Sequence, residues 1–274
     1  MPTTSAEPRP TVMVRPRSAS YGLVAAAVVL TTTLTGCGDD EDPDPPRPPE
    51  APAQELPEPA VEPLADGPAA PVAELADREW VTRTAEVVGI PERALIAYAG
   101  ATAALIAERP DCGLGWNTLA GIGEVETGHG THGGSRIGSD GRTEPEIVGP
   151  ALDGGEGVME IPDTDGGELD GDDRWDRAVG PMQFIPTTWE EWSRDGTGDG
   201  APDVHHIDDA ALTAAAYLCG QGEDMTTDEG WNAAINAYNR SVPYAVDVAE
   251  HADRYAADAE SAEAEQDEAE QEEG

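Results

Sequence analysis

One acidic side chain in this sequence falls where an acid is out of place. In Gly121-Ile-Gly-Glu-Val-Glu-Thr-Gly-His-Gly130 and the residues before it, Trp116, Leu119, Ile122 and Gly123 recur at helical spacing. At about 100° per residue, Glu126 projects between Leu119 and Ile122, inside the apolar sector. Glu124 points roughly 160° away round the same helix, so the two carboxylates do not share a site. A carboxylic acid on a dry face tends to stay protonated near neutrality, which is the state a general acid starts from. The competing reading is structural: a glutamate at a helix end that hydrogen-bonds a backbone amide.

Three further segments carry chemistry. Ala178-Val-Gly-Pro-Met-Gln-Phe-Ile-Pro-Thr-Thr-Trp189 sets an amide, Gln183, among apolar neighbours. A buried amide must be hydrogen-bonded, either to backbone or to something that visits. Ala237-Tyr238-Asn239 closes a helical pattern. Asp195-Gly-Thr-Gly-Asp-Gly-Ala-Pro-Asp203 has oxygens at positions one, three and five and Gly at six, like a calcium loop, but His206 and not Glu occupies the twelfth position. A solvated turn is the alternative there.

In this order along the chain, Val125-Glu-Thr-Gly, Gly-Pro-Met-Gln-Phe-Ile-Pro, Asp-Gly-Thr-Gly-Asp-Gly and Ala-Tyr-Asn-Arg-Ser241 resemble the lytic transglycosylases of the bacterial wall, specifically relatives of membrane-bound lytic murein transglycosylase B. The resemblance covers about residues 80–248. It implies a mainly α, lysozyme-like helical domain with a loop-rich or short β insertion. It also implies roles: Glu126 as the single catalytic acid/base, and Gln183 as an amide holding the sugar. Tyr238 and Asn239 match the tyrosine-asparagine pair near the carboxylate. Asp195, Thr197, Asp199, the Ala201 carbonyl and the more distant Asp209 match ligands of a structural calcium. No cofactor is required for the chemistry. The implied reaction cleaves the glycosidic bond between N-acetylmuramic acid and N-acetylglucosamine without water, leaving a 1,6-anhydro end. Two rivals stand beside it. One is a hydrolytic muramidase on the same fold, which would use a second carboxylate. The other is a catalytically idle wall-binding or calcium-binding lipoprotein.

The elements that must position these residues read as helices. Trp80, Thr84, Val87 and Val88 outline a first helix. Pro91 opens a second, with Leu95, Tyr98, Ala99, Leu105 and Ile106 as its stripe and Thr102 as the polar member. Pro186 opens a short helix bearing Trp189 and Trp192, Asp208 is the expected N-cap of a helix running to Cys219, and residues 231–238 and 243–255 supply two more. Trp116 and Trp231 read as core, whereas Trp189 and Trp192 are divided between core and sugar platform. Residues 129–179 are too long and too rich in Gly, Asp and Pro for an ordinary connection. They read as a cleft-wall insertion with short strands at Ile147-Val148 and Val158–Ile161. The acidic run over 163–172 reads as a tight turn. His129, His132, His205 and His206 have no metal-binding frame and read as surface or loop residues.

Around that core the sequence reads as an exported chain. Residues 1–36 form a lipoprotein signal peptide: Arg9, Arg15 and Arg17 precede an apolar run, and Leu34-Thr35-Gly36-Cys37 is a lipobox. Cys37 is the expected lipidation site, so the membrane is a partner through a lipid anchor on its outer face. Residues 37–77 read as a Pro/acid-rich disordered tether, 78–255 as the catalytic domain and 256–274 as an acidic low-complexity tail. With Cys37 lipidated, Cys112 and Cys219 remain as a pair in an oxidising compartment. The formal charge of −41, with no lysine at all, excludes nucleic acid as a partner. The expected partner is the glycan strand of peptidoglycan in the cell wall, recognised by local contacts because an acidic body repels an anionic polymer.

Overall fold

The computed structural model describes residues 47–60, 70–155 and 158–273, with side chains described to residue 264. The expected signal peptide and Cys37 lie outside the described residues. Helices dominate, as expected. They are α1 (Arg78–Val88), α2 (Glu92–Glu108), α3 (Trp116–Thr127), α4 (Pro186–Trp192), α5 (Ile207–Gln221), α6 (Asp228–Tyr238) and α7 (Val242–Glu273). Two antiparallel pairs, β1 (Arg136–Ile137) with β2 (Thr143–Glu144) and β3 (Val148–Ala151) with β4 (Arg177–Val179), supply the β content between α3 and α4. Among the described residues no helix is long and apolar enough to cross a membrane.

Helix α3 lies at the centre. It packs on α7 and α2, while α2 packs on α5, and α5 on α6. Gly121 permits the α3–α7 approach, because a Cβ there would stand 2.7 Å from the Val248 carbonyl oxygen. Trp116 and Trp231 are buried, and Trp231 Nε1 donates to Thr118 Oγ1. Cys112 and Cys219 form a disulfide that joins the entry of α3 to the last turn of α5. That pairing agrees with the cysteine count.

Several local expectations differ from the structure. Val87 is exposed, and the α1 face is made by Trp80, Val81, Thr84, Ala85 and Val88. Asp208 does not cap α5. The cap is His206, whose Nδ1 accepts from the Asp208 amide, which frees the Asp208 carboxylate for a two-pronged pair with Arg93 at 2.7 Å. A bidentate pair with a guanidinium is stronger than a cap to a neutral amide, and it ties α2 to α5. Val158–Ile161 forms no strand. It is held by isolated bridges such as Asp153 with Glu160, while Val148 begins β3.

Both expected low-complexity flanks carry structure. Residues 47–60 run as a strap along α3 and α6. Gln54 Oε1 accepts from Gly115 N and Thr118 Oγ1, both at 2.9 Å. The Glu55 amide donates to Asn117 Oδ1, and Asn232 Nδ2 donates to the Pro49 carbonyl. Proline-rich backbone has unspent carbonyls, and here the side-chain amides of Asn117 and Asn232 donate to those of Ala53 and Pro49, so docking needs little apolar residue content. Helix α7 continues without a break through the expected tail. Ala, Glu and Gln are strong helix formers, and Ala252, Ala256 and Ala259 keep a narrow buried stripe that meets α1.

Candidate active site

Glu126 occupies the last turn of α3, just before Gly128 ends the helix in the left-handed conformation. It is half-buried, and Tyr244 Oη, from the first turn of α7, donates to its Oε1 at 2.7 Å. Burial pushes the Glu126 carboxyl up to about 7, against the opposing pull of the Tyr244 hydrogen bond. The carboxyl is therefore poised between protonated and ionised near neutrality, as an acid that must also act as a base requires.

Glu124 takes the other side of the same helix. Its Oε2 stands 3.0 Å from His129 Nε2 and within 3.5 Å of Tyr255 Oη. Hydrogen bonding by His129 is the main reason its carboxyl lies below the usual range. The two carboxylates thus have separate environments and opposite shifts, in line with the helical geometry.

The residue after Glu126, Thr127, is tied to the turn at 180–183. Val179 and Phe184 exchange backbone hydrogen bonds at 2.8 and 3.0 Å, which forces a tight reversal. Gln183 sits in it at φ +49, a left-handed conformation that is costly for a residue with a side chain. Its Nε2 donates to the Gly180 carbonyl at 2.9 Å, so the amide is partly satisfied within the turn. Thr127 Oγ1, next to Glu126, donates to the Pro181 carbonyl at 2.6 Å. Tyr238 Oη donates to the Met182 carbonyl at 2.7 Å. The turn is clamped from both sides by residues beside the acid.

Tyr238 is therefore near the site, and the Glu126 charge helps burial raise its hydroxyl well above the ordinary value. Its hydroxyl nonetheless serves the turn and not the acid. Asn239 caps the end of α6 with an exposed side chain that makes no hydrogen bond among the described residues. Tyr244, the group that touches Glu126, stands in no motif of the sequence. The signal available was a tyrosine on the first turn of a helix, six residues past Tyr238, and helical spacing assigns such a residue to the core.

The histidines also differ from expectation. His132 is exposed, but His129, His205 and His206 are buried. His129 holds φ +55 and places Nδ1 3.2 Å from Tyr98 Oη and Nε2 2.9 Å from Tyr255 Oη. Tyrosine hydroxyls satisfy the ring, which is why burial is tolerated. His206 Nε2 reaches the Asp140 carbonyl at 2.7 Å, whereas His205 Nδ1 has no partner among the described residues.

The calcium-like loop is closed on its own backbone. Asp195 accepts from the amides of Gly198 and Gly200 and from Thr197 Oγ1, and Asp199 accepts from the Ala201 amide. Asp209 is buried at 1% exposure and spends both oxygens on the amides of Gly196, Thr197 and Asp203. Burial raises its carboxyl, against those hydrogen bonds. The loop's acids do not fit a metal as they stand, because their oxygens do not converge as a set. Among the described residues the acids that do converge, within 4.8 Å, are Asp163, Asp165 and Asp176 in the insertion. There too the oxygens accept from neighbours: Asp163 from the amides of residues 165–167, and Asp176 from Thr164. The expected tight acidic turn is what this run forms.

No curated protein matches the chain. Two solved structures of Escherichia coli lytic transglycosylase Slt35, one in complex with bulgecin A and one in complex with calcium, are similar at 15% identity and a TM-score of 0.40. Each match covers 65% of this chain and 78% of theirs, and at that level the likeness carries no weight in the assignment. A family model does match, described as a transglycosylase SLT domain, over residues 174–236. That segment contains β4, the Gln183 turn, α4, α5 and nearly all of α6, while Glu126 and Tyr244 lie outside it. Over residues 174–236, and so over less than a quarter of its length, the chain is similar to the transglycosylase SLT domain family.

Proposed function

We propose that this protein is a peptidoglycan lytic transglycosylase in which Glu126 acts twice on one muramyl linkage. Protonated Glu126 gives its proton to the glycosidic oxygen that leaves with N-acetylglucosamine or its substituted strand. The substrate's 2-acetamido group stabilises the developing oxocarbenium. Ionised Glu126 then takes the proton of the muramyl 6-hydroxyl as that oxygen closes onto C1. The proton count returns to its starting value, and no cofactor enters.

The observation that carries this reading is the Glu126 carboxyl itself, held near 7 by burial and answered by a single tyrosine hydroxyl. No second acid contributes to its protonation, and the nearby Glu124 is committed to His129 on the far side of α3. A hydrolase pairs two carboxylates across the bond. Gln183 serves as the sugar-holding amide and the Tyr238-Asn239 pair as the adjoining cleft wall. The lipobox at Cys37 supports export and a lipid anchor at the outer face of the cell membrane, with wall glycan as substrate.

Two measurements test the reading. Glu126→Gln is expected to abolish clearing of purified peptidoglycan while the folded protein still binds it. Mass spectrometry of the products released by the unaltered protein should find anhydro ends, one water lighter than hydrolytic ends. Reducing ends alone would replace this reaction with that of a muramidase.

A further inference from the structure

The chain has 15 basic residues, all arginine, against 56 acidic ones, so an exposed cation next to the Tyr238 and Tyr244 segments stands out. Arg240 lies between α6 and α7, two residues after Tyr238 and four before Tyr244. At no more than about 3.6 Å per residue, its Cα is within about 15 Å of both tyrosines. Arg240 is exposed and makes no ion pair among the described residues, whereas Arg93, Arg142, Arg177 and Arg194 are paired with acids. Tyr217 Oη donates at 3.0 Å to the Ala237 carbonyl, at the end of α6 from which Arg240 emerges. The Tyr217 ring meets Tyr238 edge-on at 5.9 Å and Trp192 at 5.3 Å. Arg240 and Glu191 act with opposite sign on the Tyr217 hydroxyl, yet they form no ion pair with each other.

We propose that Arg240 is a specificity-determining residue that binds a carboxylate carried by the muramyl substrate. The inference rests on the function proposed above. A body of charge −41 repels an anionic glycan at long range, so capture depends on a local positive group. A guanidinium meets a carboxylate through two parallel hydrogen bonds, and an exposed one without an ion pair gives up no acid partner in doing so. Each muramyl unit carries a lactyl carboxyl, free or joined to a peptide that bears carboxylates of its own. The shared chemistry is the carboxylate.

Binding is the decisive readout, measured in the Glu126→Gln background so that cleavage does not enter. The probes are insoluble peptidoglycan, the same material with its carboxylates amidated by carbodiimide and methylamine, and glycan strands stripped of peptide. Arg240→Gln is expected to weaken binding to untreated peptidoglycan about tenfold, the loss of one charge-assisted contact, and to leave binding to amidated material unchanged. Arg240→Lys should recover part of the loss. In the otherwise unaltered enzyme, Arg240→Gln should raise KM and leave kcat in place. Persistence of the loss on stripped strands assigns the lactyl carboxylate, and its disappearance assigns the peptide. Equal binding by the Arg240→Gln variant and its parent, or an equal loss on amidated material, overturns the proposal. Absence of cleavage by the unaltered enzyme would instead remove the proposed function, and the binding comparison would still judge Arg240.

Discussion

At the scale of single residues, the proposed reaction turns on the titration of Glu126. Tyr244 donates to the ionised form of Glu126 and so favours it. Removing that donor should raise the Glu126 carboxyl above about 7. In Tyr244→Phe, the alkaline limb of the pH profile, where the protonated acid is lost, should move to higher pH, and kcat should fall about tenfold or more. An unmoved limb would show that the two groups do not act together. The same carboxyl affects stability. Its value in the folded chain exceeds the ordinary 4.5, so the folded state holds the proton more tightly. The resulting stabilisation is complete below about 4.5 and fades as pH rises through about 7. Glu126→Gln has no such loss. It should therefore gain about 1–3 kcal/mol over the parent between pH 5 and pH 8, read from denaturant unfolding at both. Glu126 was legible in the sequence because helical spacing alone puts a carboxyl on an apolar face. Tyr244 was not, because a tyrosine on a helical stripe has the same pattern whether its hydroxyl meets solvent, backbone or an acid. His129 escaped for a related reason: glycines on both sides suggest a loop, and the tyrosines that bury it come from α2 and α7.

At the scale of elements, α3 fixes the acid at one end and the strap at the other. Gln54 caps the entry of the helix by accepting from Gly115 N and Thr118 Oγ1. Gln54→Ala leaves a mostly buried amide without its acceptor and should cost about 1–3 kcal/mol in denaturant unfolding, with cleavage activity retained. A change below a few tenths would mean that the strap contributes little to the fold. The helical pattern of the body was largely readable from periodicity and caps. The strap was not, since a Pro/Glu composition predicts extension, and its docking relies on side-chain amides of the body. The long reach of α7 was hidden in the same way, by an Ala/Glu repeat whose only apolar group is a methyl.

At the scale of the whole molecule, the architecture separates the segment that matches the SLT model from Glu126. The SLT match begins at residue 174, while Glu126 precedes the insertion. The sheets and bridges of residues 136–179 join these parts through backbone pairing, with Val179 in the core and Ile137 and Leu169 packed against it. The sequence announced such an insertion by its length and glycine content, but pairing register between short strands leaves no period to read.

The disulfide gives that separation a further consequence. Cys112 precedes Glu126 and Cys219 follows Gln183, so the whole insertion lies inside a covalent ring. A protease cut between residues 152 and 175 would leave the acid on one fragment and the amide turn on the other, still one molecule. The nicked protein should run as a single species until a reductant is added, then as two, and cleavage of peptidoglycan should survive the cut but not the reductant. The bridge thus turns a break in that long wall from a loss of half the molecule into a local cut, with both fragments still held by Cys112 and Cys219.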